Sequence, residues 1–199
     1  MTKEFWNERY NQKDFAYGIR PNQQFNVFLN TIPVGRLLLP AEGEGRNAVF
    51  AAKIGWQVDA FDISEAGKQK AIHLSNIENV KISYQIDDFS SFTAEPNTYD
   101  CIAFIFTHLP SKDRINVFKN YQIYLKTGGK IFIVGFSKLQ LGKDSGGPKN
   151  LDQLFSKEEL KSDFHEMNID IIEEFETKID EGIYHQGNAS LVKLVATKK

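Results

Sequence analysis

Leu37-Leu38-Leu39-Pro40-Ala41-Glu42-Gly43-Glu44-Gly45-Arg46-Asn47-Ala48 reads as a strand, a glycine turn and the start of a helix. Gly43 and Gly45 tolerate positive φ and let a backbone approach a ligand closely. The N–H groups that open the next helix have no intrahelical partner and can receive a negative group. A plain tight turn explains the same residues. A Gly-x-Gly pair alone does not separate the two readings.

Downstream, the pattern alternates between apolar runs and amphipathic stretches. Strands are expected at 36–41, 57–62, 81–86, 99–106 and 130–136, and helices at 46–54, 64–76, 111–125 and 157–167. Residues 99–106 form a continuous apolar run, as a central strand buried on both faces requires. Two closing strands, 169–177 and 189–196, have no helix between them and should pair antiparallel. The implied fold class is α/β: a Rossmann-like, seven-stranded, mostly parallel sheet with helices on both faces and a C-terminal antiparallel hairpin. In such sheets ligands bind beyond the carboxyl ends of the strands.

Acidic residues stand at those ends. Asp62 closes the second strand, 17 residues after Gly45, where an acid binds ribose hydroxyls in nucleotide-binding folds. Capping of the following helix by Asp62 or Ser64 is the alternative. Asp59 lies mid-strand and is the weaker candidate. Asp87-Asp88-Phe89 follows the third strand. There a carboxylate can accept from an exocyclic adenine amine while the ring packs on the purine. Asp88 is preferred to Asp87, against a solvated Asp/Ser turn.

Composition narrows the function. The chain has 199 residues, net charge −2 and one cysteine, Cys101. One domain is expected, 1–199, with 1–35 as an N-terminal helical lid. The charge balance gives no reason to expect nucleic acid as a partner. No apolar run approaches the length of a membrane span. Residues 1–10 lack the apolar stretch of a signal peptide, so a cytoplasmic enzyme is expected. A single cysteine excludes an internal disulfide framework, and no metal site is expected. Cys101 lies inside a strand as an inert thiol. The 16 phenylalanines point to a ring-packed core.

The chain resembles the class I S-adenosylmethionine-dependent methyltransferases, within them the tellurite-resistance and thiopurine-methyltransferase-like group. The resemblance is carried by Phe5-Trp6-Asn7-Glu8-Arg9-Tyr10, Tyr17-Gly18-Ile19-Arg20-Pro21-Asn22 and the glycine turn. It continues in Phe61-Asp62-Ile63-Ser64, Phe106-Thr107-His108-Leu109-Pro110, Leu125-Lys126-Thr127-Gly128-Gly129, Gly146-Gly147-Pro148-Lys149 and Glu181-Gly182-Ile183-Tyr184-His185-Gln186-Gly187. It implies S-adenosyl-L-methionine as cofactor, with Ala41, Glu42, Gly43 and Gly45 at its methionine part. Asp62 and Ile63 would face the ribose, Asp88 and Phe89 the adenine, and Phe106 the sulfonium. Leu39 and Ala41 stand where many relatives carry an acid and a glycine, so Glu42 is left to supply charge from the loop.

On the acceptor side, the resemblance implies a small-molecule nucleophile, a thiol or chalcogen oxyanion among the options, met by Trp6, Tyr17, Asn22 and His108. His108 follows the fourth strand, where it can bind an anion or take a proton, or simply shape a His-Leu-Pro turn. Arg114, one turn into the next helix, can hold an oxyanion or join a surface ion pair. His185 is expected in solvent. Gly128-Gly129 is expected as the turn into the fifth strand. Two other functions share the same residues: an NAD(P)-dependent oxidoreductase, and a non-catalytic S-adenosylmethionine binder. Oligomeric state is not encoded in these motifs.

Overall fold

Alternating apolar segments close into the expected Rossmann-like class, a seven-stranded, mostly parallel sheet. The computed structural model describes residues 2–199. The chain resolves into two compact units, residues 1–93 with 181–184, and residues 94–180 with 185–199.

The first unit holds helices α1 (Lys3–Tyr10) and α2 (Gln23–Leu29), then β1 (Arg36–Pro40), α3 (Arg46–Lys53), β2 (Gln57–Asp62), α4 (Glu65–Ile77) and β3 (Ser83–Ile86). β2 pairs in parallel with β1 on one side and β3 on the other. Leu37, Leu38 and Leu39 are buried, as are Ala60 and Phe61 of β2 and Ala48, Ala51, Ala71 and Leu74 of α3 and α4. Small residues on the inner faces of the two helices let them lie close to the strands. This geometry delivers Ala41 and Asp62 to adjacent strand ends.

The second unit holds β4 (Tyr99–Ile105), α5 (Ser111–Tyr121), β5 (Leu125–Phe136), α6 (Lys157–Asp163), β6 (Asn168–Asp180) and β7 (Gln186–Thr197). β4 and β5 are parallel, whereas β7 runs antiparallel to both β5 and β6. Cys101 to Phe104 are fully buried, as the unbroken apolar run requires. Burial also pushes the Cys101 thiol far above its usual range, which keeps it protonated and inert.

Several boundaries differ from the sequence reading. The closing hairpin is longer at both strands. β6 continues through Lys178, Ile179 and Asp180, where Ile179 is buried between two exposed charged residues. Gly128-Gly129 is not a turn before β5 but an irregularity inside it. Tyr99 faces Leu125 and Cys101 faces Lys130, so three extra residues of β5 loop out. The loop is fastened by Gly128 N–H to Lys198 O and Lys198 N–H to Gly129 O, each 2.9 Å. Among the described residues, no helix is long and apolar enough to cross a membrane.

Candidate functional site

The turn after β1 is held in an unusual backbone shape. Ala41, Gly43 and Gly45 all take left-handed φ, at 52°, 65° and 85°. Glycine adopts this region freely, while alanine is strained there. The two glycines are needed for packing of the protein on itself. A Cβ on Gly43 would meet the Tyr10 hydroxyl at 2.6 Å, and one on Gly45 would meet Ala71 Cβ at 2.5 Å. The close approach anticipated for a ligand is thus made by α1 and α4. Tyr84 adds a third clamp, its hydroxyl donating to Gly43 O at 2.6 Å.

Glu42 decides the electrostatics. Gly45 is the N-cap of α3 and has no side chain to cap it. Glu42 reaches forward instead: its Oε1 accepts from Asn47 N–H and Ala48 N–H, both at 2.8 Å. Its Oε2 accepts from Asn47 Nδ2 at 3.3 Å. A carboxylate therefore already occupies the amino end of α3. Burial pushes its pKa up to about 7, against the pull of these bonds and of Arg46.

Asp62 binds the turn to the end of β2. Its Oδ2 accepts from Gly43 N–H at 3.0 Å and its Oδ1 from Ser64 N–H at 2.9 Å. Ser64 is the side-chain cap of α4, so Asp62 shapes the entry to that helix while Ser64 caps it. Burial raises the pKa of Asp62 to about 6. Asp59 is engaged elsewhere, in an ion pair with Arg36 at 2.7 Å. Ile63 is half-buried beside Asp62.

The third-strand acids form a turn. Asp88 is exposed, and its Oδ1 accepts from Ser90 N–H, Ser90 Oγ and Ser91 N–H at 2.7, 2.6 and 3.0 Å. These bonds, led by those from Ser90, hold its carboxyl below the usual range. Phe89 is half-buried and meets Phe61 edge-on at 5.6 Å.

The N-terminal segment packs on this turn within the same unit. Trp6 stacks on Tyr10 at 5.4 Å, and Tyr17 meets Tyr10 edge-on at 6.4 Å. Asn7 Oδ1 accepts from Ser64 Oγ at 2.7 Å. Asn22 is buried and committed: it caps α2 through Phe25 N–H and donates from Nδ2 to Glu181 at 2.8 Å. Its own N–H donates to Asn47 Oδ1 at 2.9 Å. Arg46 pairs with Glu181 at 2.6 Å and reaches the carbonyls of Tyr17 and Arg20. Sequence reading missed this buried network, because polar residues at helix starts and loops carry no periodic signal.

The second unit places three candidates. Phe106 follows β4 with a left-handed φ of 51°, its ring 4.8 Å from Phe136 and 4.5 Å from His185. His185 is buried, contrary to its expected place in solvent, because the two phenylalanines enclose it. His108 has both ring nitrogens engaged. Nδ1 lies 2.7 Å from Gln153 O, and Nε2 accepts from Phe136 N–H at 3.1 Å. Those partners fix a neutral ring with the proton on Nδ1. Burial lowers its pKa to about 4. A ring so held joins two backbone segments and has no nitrogen left for proton transfer. Arg114 is not on the surface: it is buried and paired with Asp163 at 2.9 Å and Glu159 at 3.8 Å. Its Nε is committed to Asp163, while Nη1 makes no hydrogen bond among the described residues.

The first-unit residues fit S-adenosylmethionine better than a dinucleotide. A pyrophosphate would compete for the N–H groups at the amino end of α3, and Glu42 has taken two of them, those of Asn47 and Ala48. A sulfonium and an ammonium need negative charge, and the turn carries two buried carboxylates, Glu42 and Asp62.

Residues 40–129 match the family model described as a methyltransferase domain. A comparison with curated protein sequences finds no match. Among solved structures, the chain is similar to TehB from Haemophilus influenzae, at 19% identity and a TM-score of 0.74, over 99% of this chain and 67% of that one. It is also similar to magnesium protoporphyrin IX methyltransferase (ChlM) from Synechocystis PCC 6803 with bound SAH. That match has 13% identity and a TM-score of 0.74, over 99% and 98% of the two chains. A third similar structure is described by the conversion of a disulfide bond into a thioacetal group during echinomycin biosynthesis. Its identity is 15% and its TM-score 0.77, over 99% and 92% of the two chains. These likenesses extend the fold over nearly the whole chain. The matched segment, residues 40–129, is similar to a methyltransferase domain, and the solved structures share the fold around it.

Proposed function

We propose that the protein is an S-adenosylmethionine-dependent methyltransferase that transfers the methyl group to a small-molecule nucleophile, a thiol or a chalcogen oxyanion. The observation that carries the reading is the Glu42 cap of α3, which suits a cationic donor and disfavours a pyrophosphate at those N–H groups. Glu42 and Asp62 provide the negative charge, Asp62 faces the ribose, and the turn at Ala41 and Gly43 provides backbone contacts. Phe89 supplies an apolar surface for the adenine. In the second unit, Phe106 has a left-handed backbone, the kind of strain that collects at functional positions.

When bound, the cofactor supplies an electrophilic methyl carbon on a sulfonium. An acceptor's lone pair would take that methyl group, with S-adenosylhomocysteine as the leaving group. The protein's share is alignment and exclusion of water. His108 and Arg114 are committed to structure, which favours an acceptor that arrives as an anion and needs no side-chain base. The tellurite-resistance and thiopurine-methyltransferase-like resemblance supports a soft acceptor atom. So does fold similarity to TehB and to the structure described by thioacetal formation. Residues 2–35 serve as the cover, anchored by Asn22, Arg46 and Glu181. Turnover with a panel of thiols and selenium or tellurium oxyanions tests this. Methylated product supports it, and cofactor binding without product from any of them makes the protein a non-catalytic binder.

A further inference from the structure

We propose that Arg9 is an anion-recognition group, and that the methyl acceptor carries a carboxylate or oxyanion that it binds. This rests on the small-acceptor reading above and narrows it. The Arg9 guanidinium carbon lies 3.9 Å from the ring centroid of Tyr184, 4.8 Å from Phe5 and 5.9 Å from Trp6. One nitrogen, Nη1, donates to the Tyr17 hydroxyl at 2.9 Å. Tyr184 is fixed in turn by Gln12, whose Nε2 donates to its hydroxyl at 2.8 Å.

Arg36, Arg46 and Arg114 each hold a carboxylate at 2.6–2.9 Å. Arg9 holds none among the described residues, though it is half-buried. A partly desolvated cation without a counter-charge is costly, and ring faces offset only part of that cost. The rings engage the faces of the guanidinium. Its donors lie in the plane and number five, of which Tyr17 takes one. A planar fork held in one orientation, with donors still open, matches a carboxylate or oxyanion in bidentate geometry. The fork also stands beside the cofactor turn in the same unit. Trp6 stacks on Tyr10, and the Tyr10 hydroxyl covers Gly43. The competing role for Arg9 is a stack that merely orders α1. That role has no dependence on the charge of the acceptor.

The test uses the full chain saturated with S-adenosylhomocysteine. It is titrated with 3-mercaptopropionate and, separately, with the uncharged 3-mercaptopropanol. Tryptophan fluorescence, to which Trp6 and Trp56 both contribute, reports binding, and methyl transfer to each thiol is measured with S-adenosylmethionine. The carboxylate is expected to saturate the signal at roughly tenfold lower concentration than the alcohol, as a charged hydrogen-bonded pair implies. Arg9→Gln should abolish that ratio, and Arg9→Lys, with charge but no fork, should keep only part of it. An equal response to both thiols in the parent protein overturns the proposal, as does a preference that survives in Arg9→Gln. Should Arg9→Gln fail to fold by circular dichroism, Arg9→Lys decides: an undiminished preference overturns the proposal and a reduced one supports it. Arg9-dependent anion binding without methylation of either thiol supports the anion site and defeats the thiol reading. Turnover of both thiols at equal kcat/KM defeats the anion site and leaves methyl transfer standing.

Discussion

Replacing Glu42 by glutamine should make the cofactor-free protein more stable in mild alkali. Burial moves this carboxyl from its ordinary value of 4.5 to about 7. The folded protein therefore holds the proton more tightly than the unfolded chain does. The group's contribution is fully present below pH 4.5 and is lost as pH rises through about 7. At that displacement the charged form costs about 3 kcal/mol in the fold relative to the unfolded chain. Glutamine keeps a carbonyl oxygen for Asn47 or Ala48 N–H and loses the charge, but its amide donors bring a penalty of about 1 kcal/mol. The net gain near pH 8.5 is about 2 kcal/mol, while near pH 5 the two proteins should be almost equally stable. Urea unfolding midpoints at the two pH values, at constant m, give the comparison. Asp62, raised to about 6, has the same sign, so the variant's pH slope should shrink without vanishing. A variant less stable than the parent near pH 8.5 would refute the reasoning, because the charged cap would then outweigh its own desolvation.

Asp62→Ala should weaken S-adenosylmethionine binding by about 1–3 kcal/mol through lost charged hydrogen bonds, and unchanged calorimetric affinity would remove Asp62 from the site. Ala41→Gly should relieve a left-handed alanine and stabilise the fold by about 0.5–1 kcal/mol after the entropy of glycine in the unfolded chain is counted, so a lower urea midpoint would contradict the strain. His108→Ala should cost about 2–4 kcal/mol of stability, because it opens a cavity and strands Phe136 N–H and Gln153 O. An unchanged Tm with lost turnover would restore its proton-transfer role.

The strands were legible because their apolar period is local. Leu37–Leu39 and the run at 99–106 announce a sheet without any knowledge of partners. Asp62 was legible from spacing, since a strand end followed by a helix start leaves few places for an acid. Glu42 is legible for its charge, but its cap of α3 is not. That cap depends on the left-handed turn that swings the side chain back over Asn47 and Ala48. His108 and Arg114 were read as site residues from their place after a strand. Their partners Gln153, Phe136 and Asp163 come from distant positions that no local pattern links to them. His185 escaped for the same reason: only the fold brings Phe106 and Phe136 around it. Arg9 carries no local signal, because only the fold shows that no carboxylate pairs with it among the described residues.

Calorimetric titration of the purified protein with S-adenosylmethionine and S-adenosylhomocysteine, set beside NADH, tests the central claim most directly. Micromolar binding of both sulfur cofactors, with none of NADH, is the expected result. Binding of NADH, or folded protein that takes up neither sulfur cofactor, would contradict it.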